Sequence, residues 1–243
     1  MILVEVACNS VNSAIQAQKG GARRIELCGN LLEGGTTPAQ SQIELTRENV
    51  GIDLNVIIRP RGSDFLYDDL EFESMKRDIR LCGKIGCDGV VIGILDAMGN
   101  VDIKRNRELI DLAKESGLSV TFHRAIDRAS NIFVALEDII DMGCDRILTS
   151  GGCVNAYEGR GIIKKLIEQA GERIIIMPGA GVSEDNVSEI VNYTGAKEIH
   201  GTFQSLFEGS MIYKNPNFED NSEYSYLLSD AQRVQKIVKI LNP

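Results

Sequence analysis

The chain has 243 residues, 43% of them hydrophobic, enough to bury a full core. Asp and Glu total 35 against 26 Lys and Arg, a formal net charge of -9, and no basic tail offsets it. Nucleic-acid binding, which rests on basic patches, is therefore not expected.

The N-terminal "MILVEVACNS" lacks the charged and apolar regions of a signal peptide. No apolar stretch approaches the roughly 20 residues of a membrane span. A cytoplasmic location without membrane contact is expected. The six cysteines are scattered at Cys8, Cys28, Cys82, Cys87, Cys144 and Cys153, with no CxxC pair. Neither a disulfide framework nor a structural zinc site is expected.

Strands and helices alternate along the chain. Ile2 to Ala7 reads as the first strand, and Gly21-Ala22-Arg23-Arg24-Ile25 opens the second. Leu54 to Arg59 is the third, and Gly86-Cys87-Asp88-Gly89-Val90 opens the fourth. Leu118 to His123 is the fifth, and Gly143-Cys144-Asp145-Arg146-Ile147 opens the sixth. Arg173 to Met177 is the seventh, and Gly195-Ala196-Lys197-Glu198-Ile199 opens the eighth. Amphipathic segments such as Phe72 to Lys84 and Arg105 to Glu115 lie between them. Each glycine of the repeat suits the left-handed position that ends a helix. The fold class expected is α/β, a single (β/α)8 TIM-type barrel over residues 1–243. An open doubly wound sheet would carry a Gly-rich turn after its first strand, and "ACNSVNS" is not one. Residues 203 to 226 read as an irregular segment over the barrel mouth.

The repeat also sets a register. Five residues after its glycines stand Glu26, Val91, Leu148 and His200; seven after stand Cys28, Gly93, Ser150 and Thr202. Residues two apart share a strand face, and alternate strands share interior layers. Glu26 and His200 are expected in one layer, with Cys28 in a small-residue layer above it.

Polar residues collect at the strand ends, where barrels form active sites. Glu5 and Glu26 either pair with Arg59 and Arg61 in a buried ionic network or act as acid/base groups. Glu26, His123, Asp127 and His200 are the catalytic candidates. Arg59, Arg61 and the Gly179-Ala180-Gly181 turn are candidates for holding an anion. Cys87 and Cys144 occupy the repeat position of Ala22 and Ala196 and read as small buried residues. Cys8 and Cys28 end adjacent strands, and two close thiolates would suit Cu(I). Glu5 and Cys8 are three apart, however, so a regular strand cannot turn both inward.

The motifs "EVACNS", "RIELC", "EGGTTPA", "IIRPRGSDF", "GILDAMGNVD", "VTFHRAID", "LTSGG" and "PGAGV" occur in that order. In this the chain resembles the CutC family, named for copper homeostasis, from the first strand to about residue 200. Ala39 of "EGGTTPA" stands where serine is common in the family. The resemblance implies a TIM-type barrel, a cytoplasmic homo-oligomer and a Cu(I) site at Cys8 and Cys28. The function expected on that basis is a copper homeostasis protein. The alternative, favoured by the polar ring, is an enzyme acting on a small anionic metabolite, phosphorylated or carboxylated. The expected ligand is accordingly a copper ion or a small anion.

Overall fold

Eight parallel strands alternate with helices in the computed structural model, which describes residues 1–217 and 224–243. The strands are β1 (Leu3–Cys8), β2 (Arg24–Leu27), β3 (Asp53–Ile57), β4 (Gly89–Ile92), β5 (Ser119–Phe122), β6 (Arg146–Thr149), β7 (Ile175–Pro178) and β8 (Glu198–Gly201). The helices are α1 (Val11–Lys19), α2 (Gln40–Asn49), α3 (Asp69–Ile85), α4 (Ile103–Glu115), α5 (Ile132–Met142), α6 (Arg160–Ala170), α7 (Val187–Thr194) and α8 (Ala231–Leu241). Hydrogen-bonded pairing runs from β8 through β1 and on in order to β7, so the barrel is nearly closed. This is the (β/α)8 architecture expected from the alternation.

The helix ends carry the repeat. Gly86 stands at φ +82° after α3 and Gly143 at φ +84° after α5, a left-handed conformation in which a side chain would be strained. At α3 the Gly86 N–H reaches the Gly83 carbonyl and the Cys87 N–H reaches the Cys82 carbonyl. That pairing is a Schellman motif, which returns the chain sharply into β4.

The outward faces of the strands are apolar. Val4, Val6, Ile25, Leu27, Leu54, Val56, Val90, Ile92, Val120 and Phe122 are buried against the helices. Burial of each such side chain contributes about 1.5–3 kcal/mol. The inward faces are polar at the bottom of the barrel. Arg24 pairs with both Glu5 and Glu198, and Arg146 Nε donates to Glu198 at 3.0 Å. Glu5 thus meets Arg24, its register partner on β2, and not Arg59 or Arg61 as the strand-end reading expected. The reason is directional. Arg24 lies two residues before Glu26 and shares its inward face, while Arg59 stands beyond the end of β3.

The segment at 203–226, read as irregular, contains ordered strands. β9 (Gln204–Glu208) pairs antiparallel with β10 (Ser225–Ser229), Leu206 opposite Leu227. Residues 218–223 of that segment lie outside the described residues. Gly209 and Pro216 stand in the connection between the two strands, whose five-residue length gives a short signal in the sequence.

Candidate functional site

A cavity of about 380 Å³ opens at the C-terminal ends of the strands. Its floor holds Glu26 and His200; its walls include Arg59, His123 and Leu148; its rim carries Arg124, Arg128, Ala180 and Gly181. Small residues make the room. A side chain at Gly179 would collide with Leu148 and His200, and one at Gly93 would come within 2.6 Å of His123 Nδ1. Gly179 therefore gives His200 its space and does not itself line the cavity.

The floor is a chain of charges. Arg24 holds one oxygen of Glu5, and His200 Nδ1 lies 2.8 Å from the other. His200 Nε2 lies 3.8 Å from Glu26 Oε2, so the two predicted layer-mates are neighbours. Burial works against the Glu5 charge, but Arg24 and His200 hold its carboxyl down at about 2. Burial also opposes charge on His200; the Glu5 hydrogen bond and the Glu26 charge outweigh it and raise the imidazole above its usual value. For Glu26 burial wins. Only 5% exposed, it is pushed up to about 7, with His200 pulling down and Glu5 pushing up. Its Oε1 has no hydrogen-bond partner among the described residues. A carboxyl that titrates near neutrality can both take and give a proton.

His123 is buried and its Nδ1 accepts the Ala125 N–H at 3.2 Å. Burial, and then the Arg59 charge, lower it to about 3, so the ring is neutral at ordinary pH. Arg59 is committed to the walls. Its guanidinium donates to the carbonyls of Glu33, Gly35 and Ser63, each at 2.8 Å, and lies 5.0 Å from the Phe65 ring centroid. It thus ties the loops after β2 and β3 together beside the cavity. Arg61 sits outside, paired with Asp64 at 2.9 Å and Glu71 at 2.6 Å.

Asp127 is occupied as well. Its carboxylate accepts from Thr149 Oγ1 at 2.5 Å, the N–H groups of Ser150 and Gly152 at 3.0 Å, and Arg124 Nε at 2.8 Å. With every lone pair taken, it fixes the loop after β6 and has none left for a substrate. Arg128, the second arginine of "HRAIDR", has no acidic partner among the described residues and lines the cavity. Residue type and position after a strand were its only signals in the sequence. Ala180 and Gly181 are both left-handed, at φ +76° and +66°. Among the described residues, the N–H groups of Ala180, Gly181 and Val182 donate to no protein acceptor.

The two candidate copper ligands face opposite ways. β1 stays regular to its last residue, with Cys8 opposite Leu27. Ala7 lines the cavity, so alternation turns Cys8 into the outer core, near Ser229. Cys28 packs inside the barrel against Ile57 and Val91. Cys8 Sγ is bonded to the Val6 carbonyl and Cys28 Sγ to the Cys8 carbonyl, each at 3.4 Å. Both are fully buried, and burial, reinforced by the Glu26 charge, raises both thiols well above the ordinary range. Among the described residues no three His, Cys, Asp or Glu side chains cluster as metal ligands would.

A family model, CutC family, matches residues 2–205. The chain belongs to the CutC family. A family protein named CutC from Xanthomonas campestris pv. campestris (strain 8004) is 47% identical, covering 98% of each chain. Another, from Parabacteroides distasonis, is 44% identical over 97% of this chain and 99% of its own. Among solved structures, a CutC from Streptococcus agalactiae, described as a candidate copper homeostasis protein, superposes with a TM-score of 0.78 at 35% identity. That match covers 83% of this chain and 99% of the other. No helix of this CutC family chain, among the described residues, is long and apolar enough to cross a membrane.

Proposed function

We propose that this CutC family chain is a barrel enzyme that binds a small anionic metabolite at its mouth and moves a proton with Glu26. One observation carries the reading: a buried carboxyl, poised near neutrality with one oxygen unpartnered, beside a cavity whose rim offers cations and free N–H groups. Backbone N–H groups at consecutive left-handed residues suit an anion. Arg124 and Arg128 add charge at the rim, and Arg59 holds the wall. His200, oriented by Glu5, sets the field that Glu26 feels.

Thermal unfolding against a panel of phosphorylated and carboxylated metabolites tests it, because a ligand of the native state raises the midpoint. At least one small anion is expected to stabilise the wild type, with the shift lost in Arg128→Ala. A panel without effect would overturn the reading.

The second reading is a copper homeostasis role with Cu(I) held by Cys8 and Cys28. Its support is the description of the Streptococcus agalactiae relative and the contact of the two strand ends, where the Cys28 N–H donates to the Cys8 carbonyl at 2.9 Å. Two protonated thiols on opposite faces of a wall do not fit a shared ion, so β1 would have to unwind at Cys8. A Cu(I) titration under reducing conditions on wild type and on the Cys8→Ser/Cys28→Ser double variant separates the readings. The enzyme reading expects the same binding in both; tight binding lost in the double variant would favour copper.

A further inference from the structure

Besides Arg59 Nε, two buried polar atoms of cavity-lining side chains have no partner among the described residues and come from different strands: Glu26 Oε1 on β2 and His123 Nε2 just beyond β5. Both side chains are more than nine-tenths buried, Glu26 at 5% and His123 at 3% exposure, and both line the cavity. Their chemistry is complementary. His123 Nδ1 accepts the Ala125 N–H, and an imidazolium has no acceptor. The ring's single proton therefore sits on Nε2, which makes His123 a neutral donor and not a base. The ring cannot tilt away freely. It lies over Gly93 on one side, and the Phe65 centroid is 4.9 Å from its own. Glu26 is the matching acceptor.

We propose that this cavity catalyses proton transfer at a carbon next to a carbonyl, on a small phosphate monoester, with Glu26 as the base and the His123 Nε2–H as the donor to the carbonyl oxygen. This rests on the reading of the mouth as an anion site. In the forward step the C–H bond breaks and its proton goes to Glu26. The electron pair forms the C=C bond of an enolate, whose oxygen accepts the His123 hydrogen bond. On a substrate with a hydroxyl on the carbon that loses the proton, Glu26 returns the proton on the same face to the former carbonyl carbon while the hydroxyl proton passes to the adjacent enolate oxygen, which gives the isomeric carbonyl compound. No oxidant or reductant is consumed. A neutral imidazole is suited to the donor role, since it polarises a carbonyl without first surrendering its proton. The phosphate would take the N–H groups of Ala180, Gly181 and Val182 together with Arg128. Among the described residues no lysine lines the cavity, and the route drawn here needs no amine.

Calorimetric titration with two probes tests this. 2-Phosphoglycolate carries a planar carboxylate that imitates an enediolate; glycerol 3-phosphate carries the same phosphate on a tetrahedral carbon. The wild type is expected to bind the planar probe at least tenfold tighter. That preference should vanish in His123→Ala and be partly kept in His123→Gln, which retains a neutral N–H donor. Inorganic phosphate, which carries no group for His123, is titrated alongside, and its retained binding reports that the phosphate end of the mouth is intact in both variants. Equal affinity for the two probes, or a preference that survives His123→Ala, overturns the enolate chemistry and leaves the anion site standing. Neither probe binding, while carboxylates in the thermal panel stabilise, overturns the phosphate assignment alone. Silence of every anion in both assays overturns the underlying reading too.

Discussion

Glu26 illustrates how one residue carries both a cost and a capability. Its carboxyl sits near 7 in the folded chain and near 4.5 when free. Between those values the native state binds more protons than the unfolded one, so stability falls as pH rises through that window. A shift of this size corresponds to about 3 kcal/mol at most. Glu26→Gln is therefore expected to flatten the decline between pH 5 and pH 8, gaining about 1–3 kcal/mol at the upper end. Urea unfolding at the two pH values checks this; an unchanged slope would mean that Glu26 is not the titrating group. His123 has the opposite sign. Its folded value of about 3 lies below the free 6.5, so its contribution is present above 6.5 and is lost as pH falls toward 3. Arg24 shows the stakes of a buried ionic cluster. Arg24→Met would leave Glu5 without its nearest charge, a loss of about 3–5 kcal/mol in urea unfolding. A loss under 1 kcal/mol would show that water or His200 compensates.

At the scale of elements, loops are what the barrel mouth adds to its strands. The loop after β6 is gathered around the Asp127 carboxylate, which accepts from Thr149, Ser150, Gly152 and Arg124. Asp127→Asn exchanges an acceptor oxygen for an NH2 that faces donors. About 1–3 kcal/mol of stability should be lost, with faster amide exchange at Ser150 and Gly152. Unchanged exchange there would place the hold on the loop elsewhere. Much of this architecture was legible in the sequence. Four glycine-led segments fixed the register of the even strands, because a left-handed helix end and the strand after it are local events. That register makes Glu26 and His200 layer-mates, and in the fold they lie 3.8 Å apart. The same alternation carries the partner of Glu5, since Arg24 shares the face of Glu26, whereas Arg59 and Arg61 stand beyond the end of β3. The tension between Glu5 and Cys8 was visible, and strand regularity resolves it by turning Cys8 outward. What the pattern could not hold was tautomer and occupancy. The tautomer of His123 depends on a backbone N–H two residues on, and three of the four residues that occupy Asp127 come from a loop 22 to 25 residues away.

Across the whole molecule, a net charge of -9 surrounds a mouth rimmed by arginines. The acidic surface repels small anions, and the local cations must overcome that field. Added salt screens both, over about 10 Å at 0.1 M. Arg124 and Arg128 line the cavity itself, so their attraction is the shorter-ranged and the less screened of the two. Anion affinity is therefore expected to hold or rise slightly between low salt and 0.1 M, then fall at 1 M. On the proposed function, the barrel mouth, and not the cysteine pair, is where this CutC family chain meets its ligand. The most direct measurement is the thermal midpoint of wild type, Arg128→Ala and Cys8→Ser/Cys28→Ser with the phosphorylated and carboxylated panel. A shift of several degrees is expected in the wild type and the cysteine variant, and none in Arg128→Ala. A shift that disappears with the cysteines and persists without Arg128 would contradict it.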